Sequence, residues 1–256
     1  MTNCVNNGSI SGTSNVGGIC ASLPWGNLSS CDNGGKITAT EYVGGIVGEV
    51  GDGANYVTIN DCENTGNITA TKNYVGGIYG YASSCTFIDC TNSGTISGWS
   101  NVGGICGYNG EGSIEDCVNT ANITGSNECV GGICGYAYWI SLTECENLGV
   151  ISSSLRTGGI VGNIDGPSEI NSCINDGDVN GGENTGGICG WKTGGPIISS
   201  CINNGDITGD ANTTGAIVGY VFMATLGDED FPGSSNTGLV NGSLPNKLYG
   251  YIDYMT

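Results

Sequence analysis

The chain has 256 residues, of which 49 are glycine, 14 are cysteine and none is histidine. Its 24 acidic and 5 basic residues give a formal net charge of −19, which excludes nucleic acid as a partner because phosphate binding needs lysine and arginine. The absence of histidine excludes the serine, cysteine and zinc hydrolase sites that depend on an imidazole.

No segment is long and apolar enough for insertion into a membrane, and the N-terminus lacks the basic and apolar regions of a signal peptide. Met1 is followed at once by repeat sequence. We therefore expect a piece of a longer protein whose export signal lies outside this chain.

The chain is built from a repeat of about 28 residues, and its register is clearest in one column of cysteines. Coils one to eight begin at the cysteines of this column: Cys4, Cys31, Cys62, Cys90, Cys117, Cys145, Cys173 and Cys201. Ser234 takes the same place in coil nine. Asparagine follows two residues later in every coil: Asn6, Asn33, Asn64, Asn92, Asn119, Asn147, Asn175, Asn203 and Asn236. Glycine and then isoleucine or valine usually complete the pattern C-x-N-x-G-x-I.

The second segment of each coil is V-G-G-I-x-G or a close variant, and the third approaches the next cysteine, as in "GSIEDC". Glycine inside a strand costs about 0.5–1 kcal/mol relative to alanine. Its recurrence at one place in every coil predicts a shared bend. Glycine would be required at that bend either because φ is positive there or because there is no room for a Cβ atom.

These three segments predict three short strands per coil, since none has the 3.6-residue periodicity of a helix. A unit of this length cannot bury its own apolar face, but stacked copies can. We therefore predict a single all-β domain over residues 1–256, a right-handed parallel β-solenoid (β-helix) of about nine coils. The coils start near residues 4, 31, 62, 90, 117, 145, 173, 201 and 234.

The segment "VGGICGYNGEGSIEDCVNTANITG" (102–125) resembles the GLUG motif, whose G-G-[LI]-x-G core is followed by a polar turn, a strand and an N-T-G-x-[VI]-x-G-like stretch. The likeness recurs over almost the whole chain. GLUG repeats occur in secreted and cell-surface bacterial proteins, including adhesins. The resemblance therefore implies a secreted or cell-surface location and a repeat architecture. It does not imply a particular catalytic activity. Cysteine here replaces the more usual serine or tyrosine.

Two of the columns are expected to line the interior. In a stack, each asparagine amide can donate to the next, which gives a structural ladder along the axis. In the C-x-N-x-G-x-I pattern the cysteines share the face of the inward asparagine and isoleucine positions, which favours buried thiols. Because stacked neighbours lie about 4.8 Å apart, a disulfide ladder or a single bridge between Cys106 and Cys134 remains an alternative.

An acidic residue stands directly before four successive cysteines: Asp61, Asp89, Asp116 and Glu144. Stacked like charges repel, so these side chains should face solvent or share a cation. They are the candidate metal ligands, because calcium takes six to eight oxygen ligands. Neither a D-x-D-x-D-G loop nor a G-G-x-G-x-D repeat occurs, so a solvated acidic face is the competing interpretation. No other cofactor is indicated.

An aromatic column follows the G-G-I-x-G block and is the candidate ligand-binding site: Tyr81, Tyr108, Tyr136, Trp191, Tyr220 and Tyr251. Its spacing predicts two runs of three stacked rings, each ring about 4.8 Å from the next. Rings that project outward form a strip suited to sugar rings, whereas rings along a corner only support one another.

These observations predict a non-catalytic repeat module of an exported bacterial surface protein. It would act as an adhesive or display spacer and bind polysaccharide or a host surface protein along one flank. More repeats, or another domain of the same polypeptide, are expected as its neighbours.

A carbohydrate-active β-helix enzyme, a lyase or hydrolase using two carboxylates, is the alternative. Against it, the acidic clusters sit in repeated register. An ice-binding solenoid is a more distant alternative, because Trp99 and Gly182 interrupt the array of threonine and serine hydroxyls.

Overall fold

The computed structural model describes residues 1–50, 57–224, 231–243 and 247–254. Within these ranges every regular element is a short β-strand. The same ranges contain no helix that is long and apolar enough to cross a membrane. The strands form five sheets, and each coil contributes one strand in turn to most of them.

We name the sheets in the order in which the chain enters them. The asparagine sheet contains Val5–Asn6, Asp32–Asn33, Glu63–Asn64, Thr91–Asn92, Val118–Asn119, Glu146–Asn147, Ile174–Asn175, Ile202–Asn203 and Ser235–Asn236. The isoleucine sheet contains Ile10–Ser11, Ile37–Ala39, Ile68–Ala70, Ile96–Gly98, Ile123–Gly125, Ile151–Ser152, Val179–Asn180 and Ile207–Thr208. The glycine sheet contains Ser14–Gly17, Glu41–Gly44, Val75–Gly76, Val102–Gly103, Glu128–Gly131, Leu155–Gly158, Glu183–Gly186 and Thr214–Gly215.

Two further sheets complete each coil. The aromatic sheet contains Cys20–Ser22, Val47–Val50, Tyr79–Ala82, Cys106–Asn109, Cys134–Tyr138, Val161–Asp165, Cys189–Thr193, Val218–Ala224 and Tyr249–Tyr254. The return sheet, which leads to the next cysteine, contains Leu28–Ser29, Val57–Asn60, Cys85–Ile88, Gly112–Glu115, Ile140–Thr143, Glu169–Asn171 and Ile197–Ser199.

Like residues of successive coils lie side by side, and the strand pairs run parallel. Asn119 pairs with its equivalents Asn92 and Asn147 in the asparagine sheet. In the isoleucine sheet, Ile96 pairs with Ile123. The asparagine sheet has nine strands, which enclose about eight turns. The predicted parallel β-solenoid is therefore confirmed.

Coils one to seven each have five strands instead of three, because a bend divides two of the predicted ones. In C-x-N-x-G-x-I, Asn92 Nδ2 donates to the carbonyl oxygen of Gly94 at 3.0 Å and turns the chain between the asparagine and isoleucine sheets. In V-G-G-I, the strand Val102–Gly103 ends before the next begins at Cys106. The three predicted segments are present, and the structure adds the bends within them.

The predicted asparagine ladder runs unbroken through all nine coils. Each Nδ2 donates to Oδ1 of the next asparagine at 2.6–2.8 Å. It also donates to the carbonyl two residues further along its own coil, at 2.7–3.0 Å. Both amide hydrogens are thereby used, which allows the interior members to be buried without an unpaired donor.

The second glycine of each V-G-G-I pair lies directly against this ladder. A Cβ atom on Gly104 would lie 2.0 Å from the carbonyl oxygen of Gly132 and 2.6 Å from Asn119 Cγ. The same contact recurs in coils one to seven, whereas Ala216 takes this position in coil eight. The glycine pair is therefore required because two parts of the backbone approach closely, and it forms a waist across the coil.

This waist separates two hydrophobic cores. The larger one contains the column cysteines, the isoleucines of V-G-G-I and the inward residues of the aromatic and return sheets, such as Phe87. The smaller one contains the isoleucine column and the valines of V-G-G-I, such as Ile123 and Val102. The larger core runs along the whole axis from Leu23 to Phe231, and the smaller one runs through coils one to six, from Val16 to Ile151.

Positive φ angles occur at two other corners of the coil, on residues that are not glycine. One corner directly precedes the column cysteines, with φ between 50° and 55°: Ser30, Asp61, Asp89, Asp116, Glu144, Ser172 and Ser200. The other precedes the glycine pair, with φ between 52° and 64°: Asn15, Tyr42, Tyr74, Asn101, Cys129, Arg156 and Asn184. Asparagine and aspartate tolerate this region best, which accounts for part of the acidic column.

Gly104→Ala is expected to lower the free energy of unfolding by more than about 2 kcal/mol, because the added methyl group overlaps backbone atoms. Gly195→Ala is the matched control, since only Gly166 backbone atoms, at 3.4 Å and beyond, lie near its Cβ position. Urea unfolding followed by circular dichroism measures both. Equal stability of the two variants would contradict the waist.

Asn119→Ala is expected to destabilise the fold by about 2 kcal/mol or more, because Asn92 loses an acceptor and Asn147 loses a donor inside the core. Asn7→Ala removes an exposed asparagine of coil one and should be nearly neutral. Thermal unfolding of both variants compares them, and an unchanged midpoint for Asn119→Ala would count against the ladder as a stabilising element.

Candidate functional site

The predicted aromatic column forms two runs of stacked rings. In the first run, the ring centroids of Tyr81 and Tyr108 are 4.8 Å apart and those of Tyr108 and Tyr136 are 5.4 Å apart, with interplanar angles of 8° and 20°. In the second run, Trp191 stacks on Tyr220 at 4.4 Å, and Tyr220 stacks on Tyr251 at 5.2 Å. The structure thus brings all six predicted residues together on one flank.

The alternation of the aromatic sheet places these rings outside the core. Tyr79 points inward, is fully buried and meets Phe87 edge-on, with ring centroids 5.6 Å apart. Tyr81, two residues later, faces outward and is half-buried. Tyr251 is 48% exposed and is the most accessible ring of the column.

A second aromatic column, not identified from the sequence, lies beside the first. Tyr42 and Tyr74 directly precede the V-G-G motif, and their rings stack at 5.0 Å. Both meet Tyr81 edge-on, and Tyr74 also meets Tyr108 edge-on at 6.1 Å. Tyrosine precedes V-G-G in two successive coils, and this repetition is the signal in the sequence that could have identified the column.

We name this flank the aromatic face and define it by its eight rings: Tyr42, Tyr74, Tyr81, Tyr108, Tyr136, Trp191, Tyr220 and Tyr251. Stacked neighbours cover ring faces within each run, so the outer edges and the hydroxyl groups form most of its accessible surface. Such edges are amphipathic, because tyrosine combines an apolar ring with a polar hydroxyl.

The aromatic face is interrupted at coil six, where Asn163 stands between Tyr136 and Trp191 in the register. The Arg156 guanidinium lies 4.6 Å from the centre of the Trp191 ring and forms an ion pair with Glu128 at 3.6 Å. The Tyr136 hydroxyl donates to Asp165 Oδ2. Burial, together with this carboxylate, raises the pKa of Tyr136. Sequence reasoning missed Arg156 and Asp165.

The four candidate calcium ligands, Asp61, Asp89, Asp116 and Glu144, are exposed at the corner before the column cysteines. Asp61 Oδ2 accepts a hydrogen bond from Ser30 Oγ at 2.9 Å. A cleft of about 340 Å³ is lined by two of them, Asp61 and Asp89, together with Asp32 and Glu63, and neither Asp116 nor Glu144 lines it. Among the residues that the structure describes, no three cysteine or carboxylate side chains are grouped so as to hold a metal ion. The calcium site stays a prediction.

All fourteen cysteines are free thiols, and twelve of them are buried. Cys117 Sγ donates to the carbonyl oxygen of Glu115 at 3.1 Å, and the other interior column cysteines make the equivalent contact. Cys106 and Cys134 are register neighbours without a bond between them. Burial raises the pKa of Cys85 and of Cys106 well above the usual range. The buried-thiol interpretation is confirmed.

The fold and its repeated columns define this protein as a β-solenoid repeat module. Residues 100–124 match a family model described as the GLUG motif, so the chain carries this motif and the resemblance drawn from its sequence is confirmed. The match spans about one coil. Comparisons with curated proteins and with solved structures found no match.

At about pH 8, Ellman's reagent is expected to modify at most Cys4 and Cys20 in the folded protein, because the thiolate is the nucleophile and the other thiols are buried. All fourteen should react in guanidinium chloride. Absorbance of the released thionitrobenzoate and mass spectrometry of the labelled peptides measure this. Rapid labelling of Cys117 in the native state would contradict the thiol core.

Proposed function

We propose that this chain is a non-catalytic module of an exported bacterial surface protein, where it acts as an adhesive or display spacer and binds polysaccharide along its aromatic face. The observation that carries the proposal is the alignment of eight aromatic side chains on one flank, spaced 4.4–5.4 Å apart within their stacked runs.

The architecture supports a spacer. Backbone hydrogen bonds and the asparagine ladder connect each coil to the next along one axis, and the larger core runs beside them. Nine coils at about 4.8 Å each give a length of roughly 43 Å. A rod held by repeated nearest-neighbour contacts keeps a ligand-binding flank at a defined distance from its attachment point.

The chemistry of the aromatic face favours a neutral polymer. A chain with a net charge of −19 repels polyanions, and basic residues are scarce on this flank. Tyrosine edges and hydroxyls offer weak apolar and hydrogen-bonding contacts to sugars. An extended polysaccharide meets similar groups in successive coils, so these weak contacts add together once the first is made.

The proposed surface location rests on the resemblance to GLUG repeats, and the GLUG motif at residues 100–124 supports that resemblance. The location is also supported by a surface with very few basic groups, which suits neither nucleic acid nor anionic lipid. A host surface protein is the second class of partner that such a flank fits.

Tyr108→Ala is expected to weaken polysaccharide binding about two- to tenfold, because one aromatic contact is worth roughly 0.5–1.5 kcal/mol. Affinity electrophoresis in gels containing neutral soluble polysaccharides measures the retardation. Trp99→Ala is the matched control, since Trp99 is 49% exposed and lies outside the aromatic face.

Circular dichroism verifies that both variants fold. Unchanged retardation of Tyr108→Ala, or no retardation of the natural chain by any polysaccharide, would reject the binding role. Release of reducing ends or unsaturated products during incubation with the same polysaccharides would instead indicate the carbohydrate-active enzyme.

A further inference from the structure

Coil six departs from the repeat on the aromatic face, and this departure concentrates polar groups there. Asn163 occupies the position of a ring, and Asp165 follows it on the same outward side of the strand. Although it points outward, Asn163 is only 1% exposed. Larger side chains in the neighbouring coils, Tyr136 and Trp191, flank it in the register.

Three polar atoms at this break have no hydrogen-bond partner. They are Asn163 Oδ1, Asp165 Oδ1 and Arg156 Nε, and each is almost completely screened from solvent. Buried polar atoms in native proteins nearly always have a partner. Asn163 and Asp165 are hydrogen-bonded to each other, so their two unpaired acceptors lie close together and indicate a partner from outside the chain.

The side chains that carry these atoms are held in place by other contacts. Asp165 Oδ2 accepts hydrogen bonds from the Tyr136 hydroxyl at 2.5 Å and from Asn163 Nδ2 at 3.1 Å, so its other oxygen has a defined direction. Arg156 is held by its ion pair with Glu128 and by the Trp191 ring. The unpaired atoms are thus oriented before any ligand arrives.

Two exposed aromatic side chains stand next to this polar group. Tyr138 pairs with Asp165 in the register and is 40% exposed, and Trp139 is 52% exposed. The Trp139 ring lies over Gly166, where a Cβ atom would be 2.3 Å from its Cδ1. The two rings are tilted by 38° at 6.0 Å, so they do not form a stacked pair like those of the aromatic face.

We propose that this break is a discrete subsite for one neutral sugar residue. The sugar ring packs on Trp139, its hydroxyls donate to Asp165 Oδ1 and Asn163 Oδ1, and another hydroxyl accepts from Arg156 Nε. The inference rests on the proposed glycan-binding function and identifies the residues that would distinguish one sugar from another. Because the acceptors are screened from solvent, binding requires a neighbouring side chain to move, and we assign that movement to Trp139, which is 52% exposed.

The donor set favours a sugar over an ion. A hydroxyl both donates and accepts, so neighbouring hydroxyls satisfy two acceptors and an N–H group together. A metal cation is disfavoured because the Arg156 guanidinium lies among the acceptors. An anionic sugar is disfavoured because Asp165 and Glu128 carry negative charge in a chain of net charge −19.

The test uses the whole chain in native gels containing β-glucan, galactomannan, xylan or soluble starch, with polygalacturonate as the anionic comparison. Trp139→Ala and Asp165→Asn are each expected to weaken binding of one neutral polysaccharide about tenfold. Trp99→Ala is the matched control, because Trp99 and Trp139 are about equally exposed, at 49% and 52%.

Trp139→Ala removes a surface side chain, so it keeps the proposal testable if Asp165→Asn fails to fold. As a second readout, the retarding polysaccharide should change tryptophan fluorescence in the natural chain and in Trp99→Ala. In Trp139→Ala the change should be smaller, because only Trp191 on the aromatic face is then left to report binding.

The outcomes separate the subsite from the wider proposal. If Tyr108→Ala weakens binding while Trp139→Ala and Asp165→Asn bind normally, the subsite is wrong and the aromatic face stands. Retardation by polygalacturonate alone overturns the neutral-sugar assignment. If no polysaccharide retards the natural chain, the proposed function and the subsite fall together.

Discussion

The structure depends on the hydrogen bonds that like residues of successive coils make along one axis. Asn119 donates to Asn147 at 2.7 Å, and the same bond recurs through the asparagine sheet while the backbone ladders beside it keep the register. A slip of one residue would place each asparagine opposite a residue that faces the other side of the sheet, and its buried amide would lose the bonds to the asparagines of the neighbouring coils. The register is therefore the constraint from which the cores, corners and outward columns follow.

This constraint also confines the effect of a departure from the repeat to a single coil. In a stack, a residue that differs from its column changes only its own coil, while the coils on either side keep their geometry. Asn163 can replace a ring because Tyr136 and Trp191 are held by their own neighbours. The polar groups of coil six are consequently displayed on a rigid support, as a binding site requires.

Much of the candidate site could be predicted from sequence, because a column in a solenoid is a set of residues at one repeat spacing. The rings from Tyr81 to Tyr251 were found in this way. Arg156 and Asp165 were missed because they depend on contacts between adjacent coils: Arg156 of the glycine sheet meets Trp191 of the aromatic sheet, and Asp165 accepts from Tyr136 within the aromatic sheet. Spacing alone does not reveal which side chains of neighbouring coils meet.

The sequence by itself determined the parallel stack, the repeat register, the asparagine ladder and the burial of the cysteines, because each follows from residue type at a fixed period. Only the tertiary structure decided that a waist divides the coil into two cores. It also decided that the glycine pair allows two backbones to approach closely, and that Asp61 and its equivalents adopt the positive φ angles. It also decided which side chains from different sheets meet at coil six. The physical reason is that these features depend on distances across the coil, whereas periodicity reports only positions along the axis.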